Sequence, residues 1–231
     1  MDNLPDDVKN ILLDAALVHV PFGGWSEATF IDAIADSGID DALARSVCPR
    51  GAVDLALAYH ARGDQIMLDR LAAADLSGLK FREKIAAGVR FRIQASNDKE
   101  LVRRGTALFA MPHYVADGAG AIWGTCGLIW EALGDSSHDV NWYTKRMTLS
   151  GVYSSTVLFW LGDDSPNFSA TWEFLDRRIE NVMQIEKLKA QVNSNPLLKP
   201  LMAAPNWLLG HIKAPTKTDS MDLPGTMRPR R

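Results

Sequence analysis

The chain has 231 residues, 47% hydrophobic and 23% charged, a balance that supports a buried core and excludes disordered and collagen-like classes. It contains no apolar run of the length, about 18 residues, that crosses a bilayer as a helix. The net charge of −3 is unevenly divided: from Lys187 onward eight basic residues face only Asp219 and Asp222, so an acidic body carries a basic C-terminal end. Such an end suits an anionic surface such as lipid, or merely keeps the terminus solvated.

Helical periodicity dominates. Val8, Ile11, Leu12, Ala15 and Ala16 share one predicted helix face, which Pro21 ends. After Gly23-Gly24, Ser26 is the predicted N-cap of a helix bearing Phe30, Ile31, Ile34 and Ala35 and closed by Gly38. A short segment over roughly 40–47 precedes Pro49, and a helix over about 51–60 follows. Further helices are predicted near 64–74, 80–96, 98–110 and 115–133.

Over 139–161 the propensities of Val152, Tyr153, Thr156, Val157 and Phe159 favour strand. Leu149, Val152, Tyr153, Thr156, Val157 and Trp160 nevertheless recur at helical spacing over a stretch too long for a strand, so a helix is predicted. Ser165-Pro166 reads as the N-cap and first residue of a helix running to about Lys189, with Phe168, Trp172, Leu175, Ile179, Val182 and Met183 on its face. Residues from about 214 to 231 lack periodicity and are expected to be disordered.

These elements predict an all-α protein of two unequal parts. Residues 8–60 have the pattern of a three-helix helix-turn-helix unit, with Gly38 in the turn before a short would-be recognition helix. The expected division is 1–62 for this unit, 63–192 for a larger helical domain, 193–213 for an amphipathic segment and 214–231 for the tail. Charge argues against nucleic acid as a partner. Asp14, Glu27, Asp32, Asp36, Asp40, Asp41 and Asp54 outnumber Lys9, Arg45 and Arg50, and Asp40-Asp41 stand where a recognition helix would approach phosphates.

No catalytic constellation is legible. The histidines (His19, His60, His113, His138 and His211) form neither H-E-x-x-H nor Glu-x-x-His, and G-x-S-x-G, P-loop and G-x-G-x-x-G patterns are missing. Gly118-Ala119-Gly120 lacks the third glycine of a dinucleotide fingerprint. His113, after Met111-Pro112, reads as a turn or capping residue, and His60 with Asp64 as an i,i+4 surface contact. Cys48 and Cys126 have no metal-ligand spacing and read as free thiols in or near the core. The acidic N-terminus lacks the basic start of a secretory or transit sequence, which points to a reducing compartment. No catalytic residue, metal or cofactor is therefore expected.

Two features stand out. Between Asn195 and Lys213, Leu197, Leu198, Leu201, Met202, Trp207, Leu208, Leu209 and Ile212 are interspersed with Lys199 and Lys213 and no acid. This composition suits a membrane interface or a final core helix; Pro200 and Pro205 would kink or divide either. The second is Asp139-Val-Asn-Trp-Tyr-Thr-Lys-Arg146, which places Trp142 and Arg146 on one helix face with Tyr143 at its border. With Ile129 and Trp130 on the preceding helix, these residues read either as a docking patch or as core.

The Gly24, Trp25, Ser26 and Ala28 pattern resembles the N-terminal domain of the tetracycline-repressor family, in which a larger helical domain encloses a ligand. A denser resemblance lies in Gly134-Asp135, Asn141-Trp142-Tyr143-Thr144, Arg146, Asp164-Ser165-Pro166, Thr171-Trp172, Phe174-Leu175 and Gln191-Val192. These residues resemble the accessory lipid-binding family of ubiquinone (coenzyme Q) biosynthesis, whose members have a tetracycline-repressor-like fold without repressor activity. The resemblance implies a homodimer that binds an isoprenoid quinone or phospholipid and presents quinone intermediates to the di-iron demethoxyubiquinone hydroxylase. It makes Ile129, Trp142, Tyr143 and Arg146 the hydroxylase-facing patch. It makes Leu198, Leu201, Met202, Trp207, Leu208 and Ile212 the contact with an anionic membrane. Eukaryotic relatives carry a transit peptide, so its absence here implies the cytoplasmic side of a bacterial inner membrane. The alternative is a ligand-responsive regulator of the repressor type.

Overall fold

The computed structural model describes residues 4–96 and 98–194, and among these the regular structure is wholly helical. The order is α1 (Leu4–Leu17), α2 (Val20–Gly23), α3 (Glu27–Ser37), α4 (Asp41–Val47), α5 (Ala52–Ala73), α6 (Phe81–Gln94), α7 (Lys99–Phe109), α8 (Val115–Ala132), α9 (Val140–Leu161) and α10 (Ser169–Ser194), with a 3-10 turn at Pro166–Phe168. The predicted amphipathic segment over 193–213 lies, apart from its first two residues, outside the described residues, as does the tail.

Local chemistry sets the N-terminal unit. The Ser26 hydroxyl accepts from Thr29 N at 3.3 Å to start α3, and Gly38 ends it in the left-handed region at φ 66°. The Asp40 carboxylate accepts from Ala42 N at 3.0 Å and Leu43 N at 3.2 Å, capping α4. Pro21 does not end α1, which stops at Leu17; it lies in the first turn of α2, where a missing N–H costs nothing. The expected stripes are also rotated. Leu13 and Ala33 are buried, whereas Ile11 and Ile31 are 47% and 51% exposed. α1 packs against α3, α4 and α5, and these neighbours decide which of its apolar residues are covered.

Residues 51–60 and 64–74, predicted as separate helices, form the single 22-residue α5. The expected domain division at 62/63 falls inside it. Its first half joins Val8, Leu12, Leu13, Phe30 and Ala44 in one core, and its second half supplies Met67 and Leu71 to a core with Ile85, Val89, Ile129, Leu149 and Leu175. Leu101 and Leu108 of α7 also belong to the first core, so the C-terminal body closes over the N-terminal unit.

The 139–161 stretch is helical as its periodicity predicts, and the Asp139 carboxylate caps it by accepting from Asn141 N at 2.9 Å. The start of the next helix differs from expectation. Asn167 and Phe168 take φ values of 54° and 55°, so the Ser165-Pro166 turn is 3-10 and α10 begins at Ser169. Asp163 organises this junction by accepting from Ser165 N at 2.8 Å, Thr171 N at 2.9 Å and the Thr171 hydroxyl at 2.5 Å. The Thr171 and Ser165 bonds hold its carboxyl well below the usual range.

Candidate functional site

A cavity of about 400 Å³ lies between α5, α6, α7, α8 and α9. That volume falls among small-molecule pockets. Its walls are mainly apolar, with Trp25, Ile93, Phe109, Ile122, Val157 and Trp160 among them. Val115 and Leu158, 54% and 60% exposed, mark its open edge. A glycine makes part of the wall possible: a Cβ on Gly118 would lie 2.6 Å from Phe109 Cβ, so only glycine lets α7 and α8 approach there. Gly118 therefore serves helix packing rather than phosphate binding.

One end of the cavity is polar. Arg92 Nε donates to Asp64 Oδ1 at 2.6 Å, and Arg92 Nη2 donates to the His60 carbonyl at 3.0 Å. The Thr125 hydroxyl donates to Asp64 Oδ1 at 2.8 Å, and His60 Nε2 lies 2.7 Å from the same hydroxyl. Arg92 is 4% exposed and Asp64 8%, so this network is buried. The predicted surface pair of His60 and Asp64 is thus an inward-facing one, with Nε2 and Oδ2 3.7 Å apart. Burial, reinforced by the Arg92 charge, pushes the His60 imidazole down to about 4, and it is neutral at pH 7. Tyr59 and Tyr153 complete this end, with phenols pushed up by burial.

A second, more open depression of about 510 Å³ lies on the other side of His60 and Ala121, both of which line it too. Trp123, Trp142 and Arg146 form its far wall. Trp142 packs edge-on to Tyr143 at 4.8 Å between ring centroids, and Trp123 lies 5.9 Å and 6.4 Å from the two. Trp142 and Tyr143 are half-buried. The other two residues of the expected docking patch are inside the protein: Ile129 is fully buried and Arg146 is 2% exposed. Ile129 packs where a Cβ on Gly88 would come within 2.9 Å of it. Arg146 Nη1 donates to the Trp142 carbonyl at 3.1 Å and to Asp135 Oδ2 at 3.3 Å.

Asp135 is the anchor of this arrangement. It also accepts from Lys145 Nζ at 2.7 Å and the Ser137 hydroxyl at 2.8 Å. Burial alone would raise its carboxyl, but the Lys145 and Ser137 bonds outweigh it and the net direction is down. The sequence pattern surrounding Trp142 is therefore an ion-pair frame that fixes two aromatic rings at the surface.

Of the polar residues at the cavity's end, only His60 and Asp64 carried a signal, their i,i+4 spacing. Tyr59, Arg92 and Tyr153 line the cavity, Trp123 lines the depression and Thr125 bonds His60 and Asp64, all through contacts distant in sequence. Cys48 and Cys126 are buried free thiols, and burial pushes the Cys126 thiol up to about 11. Among the described residues no cluster of three or more His, Cys, Asp or Glu side chains could hold a metal ion. No helix among them is long and apolar enough to cross a membrane.

A model of the COQ9 family matches residues 115–186, which span α8, α9, the polar anchor at Asp135 and most of α10. The chain is similar to COQ9 proteins. It is 28% identical over 210 residues to the mitochondrial ubiquinone biosynthesis protein COQ9 of Bos taurus, covering 86% of this chain and 65% of that protein. The Drosophila melanogaster protein of the same name is 27% identical over 194 residues, covering 80% and 58%. The chain thus spans less than two thirds of the length of these relatives. A solved structure, the TetR transcriptional regulator from Nitrosomonas europaea, superposes with a TM-score of 0.62 at 21% identity, over 76% of this chain and 97% of that one. The expected all-helical, tetracycline-repressor-like architecture is therefore the observed one.

Proposed function

We propose that the protein is a non-catalytic, membrane-associated carrier in ubiquinone biosynthesis that binds isoprenoid quinone intermediates and presents them to a di-iron demethoxyubiquinone hydroxylase. The observation that carries this reading is the apolar cavity of about 400 Å³ opening beside Val115 and Leu158, in a chain similar to ubiquinone biosynthesis proteins. A polyprenyl quinone stays in the bilayer because each buried methylene adds about 0.8 kcal/mol to its retention. An enzyme at the membrane surface therefore benefits from a carrier with a greasy interior, and such a carrier needs no reactive side chain.

On this reading Trp142 and Tyr143 are the partner-facing rings, with Arg146 and Ile129 holding them from within. The segment over 193–213 rests on an anionic membrane through Leu198, Leu201, Met202, Trp207, Leu208 and Ile212, and the protein is a homodimer on the cytoplasmic face of a bacterial inner membrane. Mass spectrometry of lipid extracted from the natively purified protein tests the reading. An isoprenoid ligand is expected. A protein that carries no lipid and takes none up from quinone-loaded vesicles would refute it.

The fold shared with a transcriptional regulator favours one competitor, a ligand-responsive repressor. Its charge pairing opposes that. Arg45 is paired with Glu27 at 2.8 Å and Asp41 at 3.1 Å, and Arg50 with Asp54 and Asp117, both at 2.9 Å. Two of the N-terminal unit's few cations are thus already matched, leaving little charge to displace phosphate counterions. A tight gel shift on upstream DNA at physiological salt would revive the competitor.

A further inference from the structure

The cavity is not uniformly greasy, and its polar end has unspent hydrogen-bonding capacity. Arg92 carries five N–H donors, of which the bonds to Asp64 and to the His60 carbonyl use two. The guanidinium fits here because position 63 is glycine: a Cβ there would lie 2.7 Å from Arg92 Nη1. The Thr125 hydroxyl has one hydrogen, and the Asp64 carboxylate takes it at 2.8 Å. His60 Nε2 lies 2.7 Å from that hydroxyl and the imidazole also bonds the Ala121 backbone, so the ring is engaged within the protein. The Tyr59 hydroxyl is buried at the same end. Ser96 beside it lowers the phenol against the burial that raises it, yet among the described residues no atom stands in bonding geometry to that hydroxyl.

Charge narrows what this end would take. Arg92 is already matched by Asp64, and the imidazole is neutral, so the net charge is zero. An added phosphate or carboxylate would be an uncompensated buried anion, whereas a neutral group bearing oxygens would satisfy the spare donors at no such cost. The rest of the wall accepts only an apolar chain. Position adds a constraint: His60 and Ala121 also line the depression walled by Trp123 and Trp142.

We propose that His60, Arg92 and Tyr59 form a head-group subsite for a neutral, oxygen-bearing ring on an apolar tail. The ring lies against the partition behind the Trp123–Trp142 wall, and the tail leaves between Val115 and Leu158. Arg92 and Tyr59 supply the donors, and Tyr59 is the specificity-determining residue because its buried hydroxyl is left for the ring's oxygens; His60 forms the partition. This orientation rests on the carrier reading and adds to it a stated end for the ring.

Calorimetric titration of the full chain with three probes of equal tail length tests the proposal: a two-isoprene ubiquinone, the corresponding prenyl alcohol and the prenyl diphosphate. The ubiquinone is expected to bind about tenfold tighter than the alcohol, and the diphosphate no tighter than the alcohol. In Tyr59→Phe the ubiquinone should fall to within about twofold of the alcohol while alcohol affinity holds. The wild-type comparison needs no variant to fold. Alcohol and ubiquinone of equal affinity, or tightest binding of the diphosphate, would overturn the subsite while leaving the carrier reading intact. Failure of all three probes to bind would overturn both.

Discussion

The Arg146 guanidinium lies beneath the Trp142 indole, its carbon 4.0 Å from the ring centroid, while its Nη1 donates to the carbonyl of the same tryptophan. One buried cation thus fixes both the ring and the backbone of its helical neighbour one turn earlier. The two residues have different settings despite sharing a face: Arg146 is buried support, and Trp142 is half-buried and reaches the surface.

Replacement should separate the two residues. Arg146→Ala leaves Asp135, 2% exposed at its side chain, with a lost partner, and should cost about 3 kcal/mol of stability. Trp142→Ala removes a half-buried ring and should cost about 1–2 kcal/mol. On the carrier reading it should also weaken hydroxylase association at least tenfold, as loss of a central aromatic contact does. Chemical denaturation and a binding titration on both variants check this.

Acid should destabilise the fold through His60. Its folded-state pKa, about 4, lies below the ordinary 6.5, so the unfolded chain takes up a proton first as pH falls. Stability is fully present above about 6.5 and is lost on descending towards 4, by on the order of 3 kcal/mol. Denaturation midpoints between pH 7 and 4, compared with His60→Gln, isolate this contribution; an equal slope in the variant would remove His60 as its source.

Leu158, 60% exposed at the cavity's open edge, offers a test of access without a folding penalty. Leu158→Glu should change stability by no more than about 0.5 kcal/mol, since the side chain packs little. It should sharply lower the amount of co-purified lipid, because a carboxylate at the rim must be desolvated as an apolar chain passes. Quantitative lipid extraction against the wild type reads the difference.

The paired change Trp207→Glu and Leu208→Glu should abolish sedimentation with anionic liposomes and leave the thermal midpoint unaltered. Unchanged sedimentation would mean these residues do not meet the membrane. High salt should weaken wild-type binding only in part, because apolar insertion and lysine attraction both contribute.

Much of the fold was legible because it is written locally. The Ser26 cap and the Gly38 stop each act within a turn of their own position, and the α9 periodicity outweighed its strand propensity. Reading failed where a distant partner decides. The gap expected between 60 and 64 is continuous helix, and Gly63 within it leaves room for a guanidinium from α6. Ile11 carries the same apolar signal as Leu12, and the placement of α3, α4 and α5 determines which is covered. The candidate site followed the same rule. The string containing Trp142 was visible, while its burial pattern depends on Asp135 and the depression behind it on α5 and α8.

Trp25, from the loop before α3, lines the cavity and donates its indole N–H to the Leu101 carbonyl at 3.3 Å. The N-terminal bundle is consequently a structural wall of the cavity, and a chain trimmed to its C-terminal helices would lose that wall along with half of α5. Such a bundle has a reason to persist that owes nothing to reading a genome: without it the container would have no side.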